Sequence, residues 1–401
     1  MKITVFGLTL SSSWGNGHAT PYRAILRALH RLGHQVTFYE RDVPYYARHR
    51  DFLQWPYCDL KLYESWDAIR SLALAEAAES DIVITASYVP EGARIADALL
   101  ELEGPLRVYY DLDTPITLQR LAEGDLEYVR RRQLPEFDLV LSWTGGDALV
   151  RLAREFGVRH VRPLFGCVDP DVYRPVRPRT GLRCELSYMG TYAADRQAKL
   201  DSMFLEVARQ RATSRFLLAG ALYPAEWQWP ANVQRREHIA PAEHPALYCS
   251  SRLTLNLTRE EMAASGYCPS GRFFEAAACG TAIVSDWFVG LDSFFEPGQE
   301  LLVARDTAEV LHALDRADAE LMHMARRARE RTLDEHTGYQ RAQSMLAAFE
   351  SARALRGVNM QAHLQTDLQT KVLASLQSVS QDRAQSANQS RAQSNLKMEA
   401  A

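Results

Sequence analysis

Short, continuously apolar runs alternate along this chain with longer segments whose apolar positions recur every three or four residues. In the first half the runs are "ITVFG" (3–7), "QVTFYE" (35–40), "DIVITAS" (81–87), "LRVYYDL" (106–112) and "DLVLSW" (138–143). Apolar runs of this length predict strands buried on both faces. The clearest segment between them is "ATPYRAILRALHRLG" (19–33). There Tyr22, Ile25, Leu26, Leu29 and Leu32 recur at helical spacing and Gly33 closes the end. Strand and helix in alternation predict a parallel sheet covered on both sides.

The pattern breaks at "VDPDVYRPVRPRTG" (168–181), where Pro170, Pro175 and Pro178 lie among arginines and read as a linker. It then restarts, with strands expected at "CELSYMG" (184–190), "RFLLAG" (215–220), "RLTLNLT" (252–258), "TAIVSD" (281–286) and "ELLVA" (300–304), and a helix at 194–211. One long helical stretch is expected from about 317 to 355. The chain thus reads as an α/β protein of two Rossmann-like, doubly wound domains, 1–170 and 171–335. A terminal helix, 336–357, is expected to pack back on the first of them. From Val358 onward there is no Gly or Pro, and Gln, Ser and Ala dominate. Leu364, Leu368, Val372, Leu376 and Val379 form a narrow apolar stripe in this tail, 358–401. That leaves two readings, a helix offering an oligomerisation seam or a disordered tail.

The length of 401 residues agrees with two cores. A net charge of −4 argues against a nucleic-acid partner. The basic triplet Arg130-Arg131-Arg132 reads as a solvated helix face. The six cysteines form no C-x-x-C pair, so neither a zinc site nor a disulfide framework is expected, and a reducing cytoplasm fits. No apolar run reaches the roughly 18 residues of a membrane span. "MKITVFGLTL" leads straight into a Gly-rich loop, which argues against a cleaved signal.

Four stretches can carry chemistry. In "SSSWGNGHAT" (11–20), Gly15, Asn16 and Gly17 lie between the first strand and the first helix, where backbone can approach an anion. A dinucleotide fingerprint would use Glu40 on a ribose, but Thr20 stands where the third glycine belongs. His18 in this loop is either structural or a catalytic base. In "YYDLDTP" (109–115), Asp111 and Asp113 end a strand at the crevice edge, either capping the loop or taking a proton from an acceptor hydroxyl. In "SYMGTYAADR" (187–196) a strand ends at Gly190, and Arg196 and Lys199 open the next helix, a plausible diphosphate grip. In "CPSGRFFEAAACGTAIVSD" (268–286), Ser270 caps a helix, Gly271 permits close approach and Arg272 offers a bidentate donor. Glu275 follows in an otherwise apolar run, placed on the face looking toward a ligand over the helix N-terminus. The vicinal hydroxyls of a ribose are natural donors to it. The bland alternative is an exposed first-turn Glu favoured by the helix dipole.

With these residues in place, the chain resembles the GT-B glycosyltransferases, and more narrowly the CgeB-like, spore-maturation-type group. The resemblance covers about 1 to 350 and rests on "PSGRFFEAAACGTAIVSDWFVGLDSFFEPGQELL" (269–302), with "DTP", "SYMGTYAADR" and "TLNLTREEM". It implies two Rossmann-like domains facing a cleft, with the nucleotide-sugar on the C-terminal one and the acceptor on the other. Carried over, Glu275 binds the ribose, Arg196 and Arg272 bind the diphosphate, and Gly190 and Thr191 lie beside it. His238 and Ile239 flank the base, and Asp286, Trp287 and Gly290 line the sugar pocket. Tyr267 stands where many retaining relatives carry a second Glu, which leaves the stereochemical outcome open. The implied activity is transfer of a sugar from a nucleotide-sugar to a hydroxyl acceptor of unknown identity. Helix ends and arginines would meet the leaving-group charge, so neither metal nor cofactor is expected. An epimerase or hydrolase of nucleotide-sugars, or a non-catalytic nucleotide-sugar-binding protein, are the other readings.

Overall fold

A computed structural model describes residues 1–358 of the chain, which divides into two compact units, Met1–Phe349 and Glu350–Ala401. The apolar stripe from Leu364 to Val379 lies outside the described residues. Among the described residues no helix is long and apolar enough to cross a membrane.

The first unit holds two parallel sheets. The first contains β1 (Lys2–Gly7), β2 (Gln35–Arg41), β3 (Asp59–Tyr63), β4 (Ile82–Ala86), β5 (Leu106–Asp111), β6 (Leu139–Ser142) and β7 (Val161–Pro163), in the order β3-β2-β1-β4-β5-β6-β7. The second contains β8 (Cys184–Met189), β9 (Phe216–Ala219), β10 (Val233–Arg236), β11 (Ser251–Asn256), β12 (Ala282–Ser285) and β13 (Leu302–Val303), in the order β10-β9-β8-β11-β12-β13. Both are doubly wound, reversing direction at β1/β4 and at β8/β11. In such sheets ligands bind outside the carboxyl ends of the strands at the reversal.

Ten of these strands fall on the apolar runs. The three that do not, β3, β7 and β10, sit at sheet edges or lie short and polar there, with β10 reading Val-Gln-Arg-Arg. An edge strand needs only one covered side and is guarded by charge and proline, so it lacks the apolar signature. The helix expected at 19–33 is α1 (Ala19–Arg31), whose buried face includes Tyr22, Ile25, Leu26 and Leu29.

The long helix expected over 317–355 is instead two. The first is Asp318–Glu335, and helix resumes at 338. At the break, Val168 and Thr337 form a β-bridge, with Val168 N donating to His336 O at 3.0 Å and Gly338 N to Val168 O at 2.9 Å. A Cβ on Gly338 would lie 2.4 Å from Ala24 O, so only glycine lets the chain pass α1 here. Arg341 then donates through Nε to the carbonyls of Phe165 and Gly166, at 3.1 and 3.2 Å. Of the triplet Arg130-Arg131-Arg132, Arg131 and Arg132 are exposed at the start of a short 3-10 helix, Arg131–Glu136, and are held at the surface: Arg130 and Arg132 both pair with Asp97 and Arg131 donates to Glu155 O.

Glu40, the residue a dinucleotide site would have used, is fully buried and already engaged. It accepts from Thr9 Oγ1 (3.0 Å), Leu10 N (2.7 Å), Ser11 N (2.8 Å) and Ser11 Oγ (2.6 Å). It ties the loop after β1 to the end of β2. Replacing Glu40 by Gln turns one of its two acceptor oxygens into an NH2 group that faces donors. Glu40→Gln is therefore expected to lower unfolding stability by about 1.5–3 kcal/mol, the scale of hydrogen bonds to a charged group. Urea unfolding measures this, and an unchanged midpoint would show that the loop is held by something else.

Candidate functional site

The carboxyl ends of both sheets open on one cleft of about 550 Å³. Its first wall comes from segments after β1, β2, β4, β5, β6 and β7; its second comes from loops after β8, β9, β10 and β11 and from the start of a helix that follows. The walls are joined where the loop after β6 meets the segment 267–269 before that helix. Trp143 Nε1 donates to Pro269 O at 2.9 Å, Thr144 Oγ1 to Cys268 Sγ at 3.2 Å and Gly145 N to Tyr267 O at 3.0 Å.

The helix is α2 (Gly271–Ala278), numbered after α1. Ser270 caps it, accepting from Arg272 N at 3.4 Å and from Arg272 Nε at 2.9 Å. Nothing approaches the position of a Cβ on Gly271, so the helix N-terminus is open to the cleft. Glu275 is neither exposed nor in the first turn: it is the fifth helical residue and only 6% exposed, yet it lines the cleft. Its Oε2 accepts from Tyr248 Oη at 3.1 Å and lies 3.8 Å from His244 Nδ1. Burial pushes this carboxyl up to about 7, against the opposing pull of Tyr248 and Arg272.

His244 and Tyr248 stand on the helix His244–Ser250, and Tyr173 in the linker completes the network. His244 Nε2 lies 2.9 Å from Ile239 O, and a carbonyl can only accept, so the proton is on Nε2. Nδ1 is then an acceptor, 3.1 Å from Tyr173 Oη. Burial pulls the imidazole down to about 4, which keeps it neutral. The sequence reading missed all three residues. The one local cue was "HIAPAEHPALY", where a His precedes a helix just past the segment expected to flank a base.

Arg272 donates to Met189 O, and Arg196 donates to Thr191 O. A Cβ on Gly190 would fall 2.5 Å from Arg272 Nη1, so glycine makes room for the guanidinium. These hydrogen bonds go to neutral acceptors, so among the described residues the two guanidinium groups lie beside each other without an ion-pair partner, although Arg272 and Glu275 feel each other's charge. Burial, then the Arg272 charge, bring Arg196 below its ordinary value. Such a pair is relieved by an anion. Lys199 is not part of it: its Nζ binds Asp286 Oδ2 at 2.6 Å and Thr258 O at 3.2 Å.

His238 and Ile239 also line the cleft, and the His238 ring lies 4.8 Å from Trp14. The residues expected around the sugar do not reach it. Asp286 is buried and held by Lys199, Thr258 N and Thr258 Oγ1. Trp287 is 47% exposed in a separate shallow depression with Arg305, Glu309 and His312. Gly290 (φ 86°) and Tyr267 (φ 46°) pack on each other outside the cleft, a Cβ on Gly290 falling 2.4 Å from Tyr267 Cδ1. The resemblance to GT-B enzymes implied otherwise, but none of the three is among the residues that line the cleft.

On the first wall, Asp111 and Asp113 separate. Asp113 lines the cleft, whereas Asp111 is fully buried behind it, its Oδ1 accepting from Asp113 N (3.1 Å) and Thr117 Oγ1 (3.0 Å). Burial pushes Asp111 up to about 7. His18 lines the cleft beside Tyr88, ring centroids 5.7 Å apart. Burial lowers its pKa, with Asp113 opposing, and its Nδ1 has no hydrogen-bond partner. Gly15 (φ 63°) and Gly17 line the cleft too. Asn16 caps α1 from the loop: Oδ1 accepts from His18 N and Ala19 N, and Nδ2 donates to Ser12 O and Trp14 O. Its side chain is therefore spent on the loop. Among the described residues no three His, Cys, Asp or Glu side chains converge as a metal-ligand set.

Two Rossmann-like halves facing one cleft define the GT-B glycosyltransferase fold. Residues 196–347 match the family described as Glycosyl transferase-like. No curated protein matches the chain by sequence. Among solved structures, sucrose-phosphate synthase from Thermosynechococcus elongatus is 14% identical with a TM-score of 0.63, over 88% of this chain and 99% of that one. An alpha-glucosyltransferase in complex with UDP is 14% identical with a TM-score of 0.66, over 87% and 100%. Anabaena HepE in complex with UDP-glucose is 12% identical with a TM-score of 0.61, over 88% and 100%.

The two buried carboxyls make a pH prediction. Glu275 rises from 4.5 to about 7 on folding, and Asp111 from 3.8 to about 7. A group that holds its proton more tightly when folded contributes stability that is full below its unfolded pKa and is lost as pH rises through the folded one. The ligand-free protein is expected to lose stability from about pH 4.5 to about pH 7. Glu275→Gln and Asp111→Asn should each flatten that slope, and the double variant should flatten it most. Urea unfolding across this range reads the slope; identical slopes in all four proteins would contradict it.

Proposed function

We propose that the protein moves a glycosyl group from a nucleoside-diphosphate sugar to an acceptor hydroxyl, in the cleft between its two sheets and without a metal ion. The observation that carries this reading is Glu275. A carboxylate buried in an apolar helix, facing a cleft that Arg196 and Arg272 also line, is costly unless a ligand completes it. A nucleotide does so: ribose hydroxyls donate to Glu275 while Arg196, Arg272 and the N-terminus of α2 hold the diphosphate. Those same charges would stabilise the leaving diphosphate as the bond to the sugar breaks. His238 and Ile239 would lie along the base. The neutral imidazole of His18 and the carboxylate of Asp113 face the cleft from the other wall and would take the acceptor proton. The solved relatives bound to UDP and UDP-glucose support a uridine diphosphate sugar as the first donor to test. Within the fold, the 269–302 segment supports a place near the CgeB-like group. A polar wall opposite the donor favours transfer over a donor hydrolase or a pure binding protein.

Titration calorimetry with uridine, UDP and UDP-glucose separates the roles. Glu275→Gln should weaken all three by about 1.5–3 kcal/mol, as expected for hydrogen bonds to a charged group. Arg272→Ala should weaken UDP and UDP-glucose but spare uridine. Because the ribose favours the ionised carboxylate, parent binding near pH 6.5 should release a proton, seen as an enthalpy that varies with buffer. Unaltered affinities in both variants would make Glu275 a purely structural residue. Sugar transfer should also persist in EDTA; loss restored by manganese or magnesium would overturn the metal-independent reading.

A further inference from the structure

The two walls of the cleft differ in charge, and the difference bears on the acceptor. The second wall presents Arg196, Arg259 and Arg272. The first, among its described lining residues, presents no Lys or Arg; it offers Ser13, His18, Tyr46, Tyr88 and Asp113 between Leu8 and Leu112. Three arginines in the segments that flank it are matched to acids. Arg23 pairs with Asp51 at 2.6 Å, Arg27 with Asp169 at 2.8 Å, and Arg50 with Asp42. Burial depresses the pKa of His18, so at neutral pH it brings no cation either.

What the wall does carry is polar but uncharged, apart from one carboxylate. Tyr88 sits at φ 64°, a left-handed conformation that a residue with a side chain adopts at a cost, and burial followed by the nearby Asp113 charge raises its phenol. Tyr46 adds a second aromatic side chain across the loop. A phosphorylated acceptor would bring its anion beside Asp113, where the one cleft-lining cation that feels the Asp113 charge, Arg259, is already paired with Asp195 at 3.1 Å, an unfavourable arrangement in a partly desolvated site. Aromatic faces beside an imidazole, a hydroxyl and a carboxylate instead suit a molecule of C–H faces and hydroxyl groups.

We propose that the acceptor is a neutral saccharide, and that the wall bearing Tyr46, Tyr88, His18 and Asp113 selects it over phosphorylated sugars. This rests on the reading of the cleft as a glycosyl-transfer site. In the transfer an acceptor oxygen forms a bond to the anomeric carbon. The bond from that carbon to the phosphate oxygen breaks, its electron pair leaving on the nucleoside diphosphate. The acceptor proton passes to His18 or Asp113.

The test uses the full chain with UDP-glucose as donor and reads UDP release. Acceptors come as matched pairs: glucose and glucose 6-phosphate, fructose and fructose 6-phosphate, with sucrose, maltose and trehalose as further neutral members. At least one neutral sugar should raise release above the acceptor-free rate, and by about tenfold more than its phosphate ester, the scale by which an unmatched charge discriminates. Tyr46→Arg, which places a cation on the wall, should narrow or invert that preference. A phosphate ester that outperforms its neutral counterpart in the parent would overturn the proposal, as would a complete set of neutral sugars that leaves release at the acceptor-free rate. UDP binding by calorimetry is measured on the same samples. Loss of that binding would count against the donor site itself, whereas UDP binding with preference for esters would count against the acceptor inference alone.

Discussion

The hydrogen bonds that join the 143–145 loop to the 267–269 segment are the constraint on which the site depends. Trp143 Nε1 on Pro269 O and Gly145 N on Tyr267 O tie the first sheet to the residues immediately before α2. Each is a modest bond, on the order of 1 kcal/mol net. Their importance is positional: Ser270, the cap of α2, follows Pro269 directly, so the helix that carries Arg272 and Glu275 starts where the two halves touch. The residues here take backbone conformations that leave little choice. Gly146, Gly266, Gly290 and Tyr267 all have positive φ, and the Tyr267 ring fills the space that a Cβ on Gly146 or Gly290 would need.

From that anchor, electrostatics organises the cleft. The second wall gathers charged groups that lack an ion-pair partner among the described residues: Arg196 and Arg272 donate to carbonyls, and Glu275 sits desolvated against neutral Tyr248 and His244. The first wall does the reverse. Its loop consumes its polar capacity internally, with Glu40 holding Leu10 and Ser11 and Asn16 capping α1, so that His18, Tyr88 and Asp113 are what remains facing inward. One wall is therefore prepared for an anion and the other for hydroxyl groups. A transfer reaction with a diphosphate leaving group requires that asymmetry.

The architecture was largely legible in the sequence because it depends on local pattern. A central parallel strand is apolar on both faces, and nine such runs stood out along with the short edge strand β13; the other edge strands, β3, β7 and β10, did not, because each has only one neighbouring strand and carries polar or exposed positions. The second-wall residues Gly190, Arg196, Ser270 and Arg272 were legible for a related reason: each lies at a strand end or helix start, where chain order fixes position, while Glu275, further along its helix, stood out as a carboxylate in an apolar run. Tertiary structure decided what chain order does not encode. It put Asp111 behind the wall and Asp113 in front of it, two residues apart on one strand end. It left Asp286, Trp287 and Gly290, which the resemblance placed at the sugar, outside the lining of the cleft. It also brought Tyr173, His244 and Tyr248 around Glu275 from two segments that the sequence does not connect. Burial is a property of the assembled packing, so the desolvation that makes Glu275 and His18 chemically distinctive exists only once the two sheets meet.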